Sequence, residues 1–224
     1  MNNNIHQPVM LNEIINKINF NKCNFFLDGT YGGGGHSEEI LLRGCKVLAL
    51  DNYIESEKIA KKKMISENNF IFYRSNFKNI DQVISKNNIK NKFDGVLLDL
   101  GFSSNQLIDD NIGLSFKNDV ELNMNYADYD VSAYDILNSY SEEELTKIFD
   151  KYGEIPKAKK LSKFIIQSRK IKKIKSTFEF IEVLKKSGVN FGSNKINFAT
   201  KPFQAIRIEA NKELENLEVF LSKI

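Results

Sequence analysis

Hydrophobic and polar positions along the first hundred residues alternate between short apolar runs and stretches with helical spacing. The apolar runs predict four β-strands, at residues 24–28, 46–51, 70–74 and 93–100. The spacing between apolar residues predicts α-helices at residues 8–18, from 37 onward, at 55–66 and at 80–87. The fourth run is apolar throughout its middle, which is typical of a strand covered on both faces. This alternation predicts an α/β fold, a parallel sheet with helices on both faces.

The pattern changes after Ser104. Residues 105–130 are polar and rich in turn-forming residues. From Ser132 onward the spacing is helical, and it predicts helices at 132–137, from 141, at 155–168, at 176–186 and at 209–221. We therefore expect a sheet-bearing core formed by residues 1–104 and 201–224, with an inserted helical subdomain at residues 105–200.

The composition is that of an ordinary soluble protein. Hydrophobic residues make up 42% and charged residues 27% of 224 residues, enough to bury a full core. The chain shows no secretory signal, and no apolar run approaches the roughly 20 residues of a membrane span. We therefore expect a cytoplasmic protein with no membrane association. Cys23 and Cys45 lack metal-ligand spacing, so we expect buried, unpaired thiols and no metal site.

Residues 25–36 join an apolar run to a glycine-rich turn and then to a helix. The run ends at Asp28, four consecutive glycines occupy positions 32–35, and His36 follows them. This order is typical of a nucleotide-binding unit, in which glycines let the backbone approach a cofactor and adopt positive φ. The next apolar run ends at Asp51, whose carboxylate could accept both hydroxyls of a ribose.

The glycine loop favours S-adenosylmethionine over a dinucleotide. A dinucleotide loop spaces its glycines as G-x-G-x-x-G, so that the pyrophosphate meets the helix N-terminus. Here the glycines are uninterrupted, and Asp28 would be badly placed beside a pyrophosphate but suits a cationic amino-acid group. The alternative is a glycine-rich turn that binds no ligand, although four adjacent glycines carry a large entropic cost.

Acidic residues end three of the predicted strands. Asp28, Asp51 and Asp99 each occupy such a position, and ligands bind beyond the carboxyl ends of parallel strands in an open sheet. One strand-end aspartate is commonly a turn former, but three beside a glycine loop predict a site. Phe77, shortly after the third strand, could stack on an adenine or belong to the core.

A basic segment within the predicted helical subdomain suggests an RNA-binding surface. Residues 157–175 contain no acidic residue and include Lys170, Lys172 and Lys173. Lysines of this kind bind phosphates without regard to sequence, although a charge run is more often a solvated helix face. Arg207 is a second basic candidate, with a salt-bridge partner as the alternative interpretation.

Five segments of the chain form a specific set, at residues 6–11, 28–37, 94–107, 113–116 and 199–208. In this order they resemble the bacterial small-subunit ribosomal RNA cytosine-N4 methyltransferases of the MraW type. The resemblance implies a class I methyltransferase core with a Rossmann-like sheet, S-adenosyl-L-methionine as cofactor, and an inserted helical domain that helps to recognise RNA. The acceptor would be the N4 amine of a cytidine in small-subunit (16S-type) ribosomal RNA, either naked or in the assembled small ribosomal subunit.

The resemblance also implies individual roles. The implied cofactor contacts are Gly34, Gly35 and His36 at the methionine end, Asp51 at the ribose, Phe77 at the adenine, and Asp99 and Gln106 elsewhere in the pocket. The protein must place the amine in line with an already activated methyl and desolvate the pair. Asp99 would accept an N–H of this weak nucleophile, and Ser103 or Ser104 would orient the base. A general-base role for His36 is a weaker alternative than a cofactor contact.

The chain departs from the family pattern at its C-terminal end. Family members continue past the position of Ile224 into strands that complete the sheet, so we expect the C-terminal strands to be missing. Three hypotheses follow: an incomplete reading frame, a catalytically silent homologue that binds S-adenosylmethionine or RNA, or a sheet completed by a partner chain. An uncovered strand edge would also favour self-association, for example as a homodimer. A methyltransferase with another acceptor is a further alternative.

Overall fold

The computed structural model describes residues 8–63, 68–103, 106, 112–115, 117–126, 129–189, 191 and 197–224. The chain divides into two compact units, Met1–Asn105 with Glu215–Ile224, and Gln106–Leu214. We call the first the sheet unit and the second the helical unit. Residues 201–214, which the sequence pattern assigns to the sheet-bearing core, group with the helical unit in this division.

Four parallel strands form the sheet. They are β1 (Phe25–Asp28), β2 (Lys46–Asp51), β3 (Phe70–Arg74) and β4 (Gly95–Leu97), in the order β3-β2-β1-β4. This arrangement confirms the predicted α/β fold. β4 is shorter than the predicted strand at 93–100, because its partner β1 ends at Asp28, which pairs with Leu97. Within the described residues, β4 has β1 as its neighbour on one side only.

Helices cover both faces of the sheet, as predicted. They are α1 (Leu11–Lys17), α2 (Gly35–Leu42), α3 (Ile54–Lys63) and α4 (Ile80–Lys86), the last preceded by a 3₁₀ turn at Phe77–Asn79. Successive strand residues point to opposite faces. One core therefore takes Phe26 and Val47 and is covered by α1, α2 and α3. The other takes Leu27 and Leu48 and is covered by α4 and Phe220. Residues 64–66 of the predicted helix at 55–66 lie outside the described residues.

The two cysteines correct the expectation of unpaired thiols. Cys23 and Cys45 form a disulfide, with their Cα atoms 5.6 Å apart. The physical reason is strand register: Cys23 lies just before β1 and Cys45 just before β2, and the Lys46 N–H donates to the Asn24 carbonyl between the two strand entries. A separation of 22 residues along the chain gives no sign of this proximity.

Six helices follow in the described chain, the last of them spanning the division between the units. They are α5 (Ala133–Ser139), α6 (Glu142–Lys151), α7 (Ala158–Ile171), α8 (Thr177–Lys186), α9 (Thr200–Ala210) and α10 (Glu213–Leu221). Ser132 and Ser141 start α5 and α6 with capping boxes to Asp135 and Glu144, so these predicted helix starts are confirmed. The sequence pattern does not predict α9, although Pro202 in its first turn is compatible with a helix start.

The described residues contain neither a membrane-spanning helix nor a cluster of metal ligands. No helix among them has the length and apolar character needed to cross a membrane. No group of three or more histidine, cysteine, aspartate or glutamate side chains in the same residues could hold a metal ion.

Candidate functional site

The glycine loop between β1 and α2 needs glycine at particular positions. Gly32 and Gly34 have φ values of 53° and 82°, in the left-handed region that side chains disfavour. A Cβ on Gly34 would lie 2.4 Å from the Tyr31 ring, and a Cβ on Gly35 would lie 2.2 Å from Pro8. A Cβ on Gly33 would meet no described atom within 4 Å. The loop is therefore closely packed at Gly34 and Gly35 and open at Gly33.

Asp51 holds this loop against the end of β2. Its Oδ2 accepts a hydrogen bond from the Gly32 N–H at 2.7 Å, and its Oδ1 accepts one from the Tyr53 N–H at 2.8 Å. Burial raises the pKa of the Asp51 carboxyl, while these backbone hydrogen bonds oppose the rise. The residue stays partly exposed. Its carboxylate therefore shapes the loop and can still meet a ligand.

Asp28 is turned into the protein, with a fractional exposure of 1%. Its Oδ1 accepts a hydrogen bond from the Thr30 N–H at 3.1 Å, and its Oδ2 accepts one from the Ser37 hydroxyl at 2.6 Å. Burial raises the pKa of this carboxyl to about 6, with the Ser37 hydrogen bond acting in the opposite direction. These contacts favour a part in holding the loop, and a direct contact of Asp28 with a cationic amino-acid group stays a prediction.

The buried Asp28 carboxyl makes stability depend on pH. A folded-state pKa of about 6, above the ordinary 3.8, means that folding favours the protonated form. This stabilisation is fully present below about pH 4 and is lost as the pH rises through about 6. The difference corresponds to about 3 kcal/mol. We expect the unfolding free energy of Asp28→Asn, relative to wild type, to rise by about that amount between pH 4 and pH 8.

Chemical denaturation followed by circular dichroism at a series of pH values measures this difference. The control is Asp150→Asn, which removes an exposed carboxylate of the helical unit. Asp150→Asn should follow the wild-type pH dependence throughout. An Asp28→Asn variant that also followed it would show that this carboxyl does not titrate as the structure indicates.

Asp99 follows β4, and its backbone is tied to the glycine loop. The Asp99 N–H donates to the Thr30 hydroxyl at 2.7 Å, and the Gly29 N–H donates to the Leu97 carbonyl at 2.9 Å. The Cβ of Ser103 lies 3.6 Å from the position that a Cβ on Gly32 would take. The structure therefore brings Asp99 and Ser103 to the loop that Asp51 also holds. Ser104 lies outside the described residues.

Phe77 and His36 both lie beside the loop and both have contacts within the sheet unit. The Phe77 ring packs edge-to-face on Phe220, with centroids 5.5 Å apart, and its Cβ lies 3.2 Å from the Cβ position of Gly29. His36 is buried in the first turn of α2, with Nε2 3.0 Å from the Val9 carbonyl oxygen. Phe77 therefore packs in the core, as one of its two interpretations from the sequence predicts. The cofactor contacts of Phe77 and His36 stay predictions.

Gln106 and the three lysines belong to the helical unit. Gln106 is buried, and its contact with the cofactor stays a prediction. Lys170, Lys172 and Lys173 are all exposed at the end of α7. The Lys172 ammonium pairs with Glu179 at 2.5 Å, and that of Lys173 donates to the Asn138 carbonyl at 3.3 Å. Their exposure is compatible with phosphate binding, which stays a prediction.

Arg207 lies in an ion pair. Its Nε donates to Glu213 Oε1 at 2.7 Å and its Nη2 to Oε2 at 3.0 Å, and both side chains are largely buried. The Tyr126 hydroxyl donates to the same carboxylate at 2.9 Å. The structure thus shows the salt-bridge alternative for Arg207, and an RNA contact of this residue stays a prediction.

Three further residues shape the loop without a clear sequence signal. Thr30 and Ser37 supply hydroxyls to the backbone of Asp99 and the carboxylate of Asp28. The ring of Tyr31 is buried beside Gly34, and its hydroxyl has no hydrogen-bond partner among the described residues. The available signal is their position, because Thr30 and Tyr31 lie in the short segment that joins β1 to α2 and Ser37 lies in the first turn of α2.

Comparison with known proteins shows the family of this chain. The model of the MraW methylase family matches residues 3–224. The chain belongs to the MraW methylase family. This assignment confirms the resemblance and the methyltransferase fold, and it makes the chain a member of a family of methyl-transferring enzymes.

Several curated proteins named ribosomal RNA small subunit methyltransferase H are similar to this MraW family member. The protein from Clostridium botulinum (strain Loch Maree / Type A3) is 38% identical over 216 residues, covering 95% of this chain and 70% of the relative. The protein from Finegoldia magna is 39% identical over 220 residues, with the same coverage. The protein from Fusobacterium nucleatum subsp. nucleatum is 38% identical over 226 residues, covering 99% of this chain and 71% of the relative.

Proposed function

We propose that this chain transfers a methyl group from S-adenosylmethionine to the N4 amine of a cytidine in small-subunit ribosomal RNA, in the cytoplasm. The names of its relatives support a ribosomal RNA substrate. The observation that carries the proposal is the loop held between two strand ends. Asp51 after β2 accepts from Gly32, and Asp99 after β4 donates its N–H to Thr30. Both acids thus flank one glycine loop.

The loop fits S-adenosylmethionine as its ligand. The backbone at Gly33 is open, because a Cβ there would meet no described atom within 4 Å. The partly exposed Asp51 carboxylate at the adjacent strand end suits the ribose hydroxyls. We assign Gly34, Gly35 and His36 to the methionine end, and Phe77 to the adenine, as the resemblance implies.

The protein's own contribution to methyl transfer is positioning and desolvation. S-adenosylmethionine supplies a methyl group that its sulfonium already activates. The exposed Asp99 carboxylate would accept an N–H of the cytosine amine, which keeps the nitrogen lone pair directed at the methyl. Ser103 would orient the base beside the glycine loop. A base within a duplex would first have to be extruded, at a cost of a few kcal/mol.

The RNA would also meet the exposed lysines at the end of α7. Phosphate contacts supply sequence-independent affinity that falls with salt. We expect replacement of Lys170, Lys172 and Lys173 by glutamine to weaken binding of small-subunit RNA. The plot of log K against log salt should become less steep, its slope decreasing in magnitude by about 2 to 3, because each phosphate contact contributes about 0.7 to 0.9.

Fluorescence anisotropy over a range of salt concentrations measures this slope. The matched control replaces three exposed lysines of the sheet unit, Lys22 before β1, Lys86 at the end of α4 and Lys90 before β4. Both triple variants lose the same charge, so equal slopes would assign the effect to net charge and contradict a binding surface on α7.

The test of the proposed function combines two measurements on one preparation. Calorimetry gives the affinity for S-adenosylmethionine, and transfer of labelled methyl to unmodified small subunits is followed by nucleoside analysis. Binding with label on cytidine N4 is the expected result. Binding without transfer would contradict the proposed methyltransferase activity and indicate a catalytically silent homologue that binds the cofactor. Label on another atom would overturn the acceptor, and a folded chain that did not bind the cofactor would overturn the site.

A further inference from the structure

Four consecutive loop residues are tied in turn to the two strands that flank β1. The Gly29 N–H donates to the Leu97 carbonyl, and the Thr30 hydroxyl accepts from the Asp99 N–H. The following two N–H groups, of residues 31 and 32, donate to the Leu50 carbonyl at 3.0 Å and to the Asp51 carboxylate at 2.7 Å. The loop therefore sets the relative position of the ends of β2 and β4, which carry the two acids of the proposed site.

Thr30 differs from its neighbours because it uses its side chain for this contact. The β1–β4 register ends at Leu97, so the Asp99 N–H lies beyond the paired strands. A hydroxyl oxygen 2.7 Å away gives that N–H an acceptor. Threonine is branched at Cβ, which restricts χ1 and fixes the direction of the hydroxyl better than serine would.

The backbone of Thr30 is itself fixed from inside the sheet unit. Its N–H donates to the buried Asp28 carboxylate, whose other oxygen accepts from the Ser37 hydroxyl in α2. A continuous series of contacts therefore runs from α2 through Asp28 and Thr30 to the backbone of Asp99. Contacts of this kind can hold a catalytic side chain within the small tolerance that transfer reactions require.

We infer that Thr30 is a positioning residue for methyl transfer, which acts by fixing the main chain of Asp99 beside the cofactor loop. This inference rests on the proposed function, because Asp99 is there the acceptor of the amine N–H. Thr30 would act through Asp99 and without touching the acceptor base. Its loss should therefore lower the rate of transfer more than it weakens cofactor binding.

Two variants of nearly the same size separate the hydroxyl from the shape of the side chain. Thr30→Val keeps the branched shape and removes the acceptor, whereas Thr30→Ser keeps the acceptor and removes the methyl. We expect Thr30→Val to lower kcat by about 10- to 100-fold, as a small misplacement of a catalytic group does. Its dissociation constant for S-adenosylmethionine should stay within about 3-fold of wild type, and Thr30→Ser should recover kcat to within about 3-fold of wild type.

A second measurement does not depend on activity. Amide hydrogen exchange at Asp99, followed by NMR, should speed up by at least about 10-fold in Thr30→Val and stay near wild type in Thr30→Ser. Fast exchange in both variants, or slow exchange in both, would overturn the contact itself. If the wild-type enzyme is active, faster exchange at Asp99 in Thr30→Val together with an unchanged kcat of that variant would overturn the positioning role. A wild-type chain that transferred no methyl would overturn the proposed function and leave the exchange result to decide the contact.

Discussion

Replacement of Asp51 by alanine is expected to raise the dissociation constant for S-adenosylmethionine by at least about 100-fold. The variant loses the carboxylate proposed to accept the ribose hydroxyls. It also removes the carboxylate that accepts the N–H groups of Gly32 and Tyr53, so the glycine loop loses one of its ties to β2. Hydrogen bonds to charged groups contribute about 1.5 to 3 kcal/mol each. Loss of the two proposed bonds to the ribose hydroxyls therefore accounts for about a 100-fold change or more in the dissociation constant.

The chain offers a close control for this variant. The Asp94 carboxylate also accepts two backbone N–H groups, those of Asn24 at 2.7 Å and Phe25 at 3.1 Å. It lies before β4, at the amino ends of the strands, whereas Asp51 lies at the carboxyl end of β2. Asp94→Ala should therefore cost similar backbone contacts and leave the affinity unchanged in calorimetry. Equal affinities of the two variants would remove Asp51 from the cofactor site.

The parts of the fold and site that depend on local pattern are predictable from the sequence. Apolar runs and helical spacing are properties of adjacent residues, and they locate all four strands and most of the helices that cover them. The ends of parallel strands meet at one edge of a sheet. For that reason the positions of Asp51 and Asp99 in the sequence are enough to predict that both lie near the glycine loop, and the structure ties both to it.

Features that depend on register or burial are not predictable in the same way. Cys23 and Cys45 meet because β1 and β2 start side by side, which the spacing along the chain does not reveal. Asp28 has the same sequence signal as Asp51, yet its carboxylate points inward and is held by a hydroxyl of the following helix. Arg207 lies in α9, which the sequence pattern does not predict, and its partner Glu213 lies at the start of the next helix.

The glycine loop supplies a second large effect, which separates two adjacent glycines. We expect Gly34→Ala to lower the free energy of unfolding by about 2 to 5 kcal/mol. An alanine at φ 82° pays the cost of a left-handed conformation, about 1 to 2 kcal/mol. Its Cβ would also lie 2.4 Å from the Tyr31 ring, and overpacking of this kind costs about 1 to 3 kcal/mol more. Cofactor affinity should fall by at least about 10-fold as the loop shifts.

Gly33→Ala is the matched variant, because a Cβ there meets no described atom within 4 Å. Its unfolding free energy should stay within about 0.5 kcal/mol of wild type or rise slightly, since alanine reduces the entropy of the unfolded chain. The double variant Gly34→Ala with Tyr31→Leu tests the cause. In the Tyr31→Leu background the ring is absent, so Gly34→Ala should no longer lose the steric part of its unfolding free energy. The loss that remains, relative to Tyr31→Leu alone, should be the cost of the positive φ. Chemical denaturation of the four variants measures these differences, and equal losses at Gly33 and Gly34 would contradict the loop conformation described above.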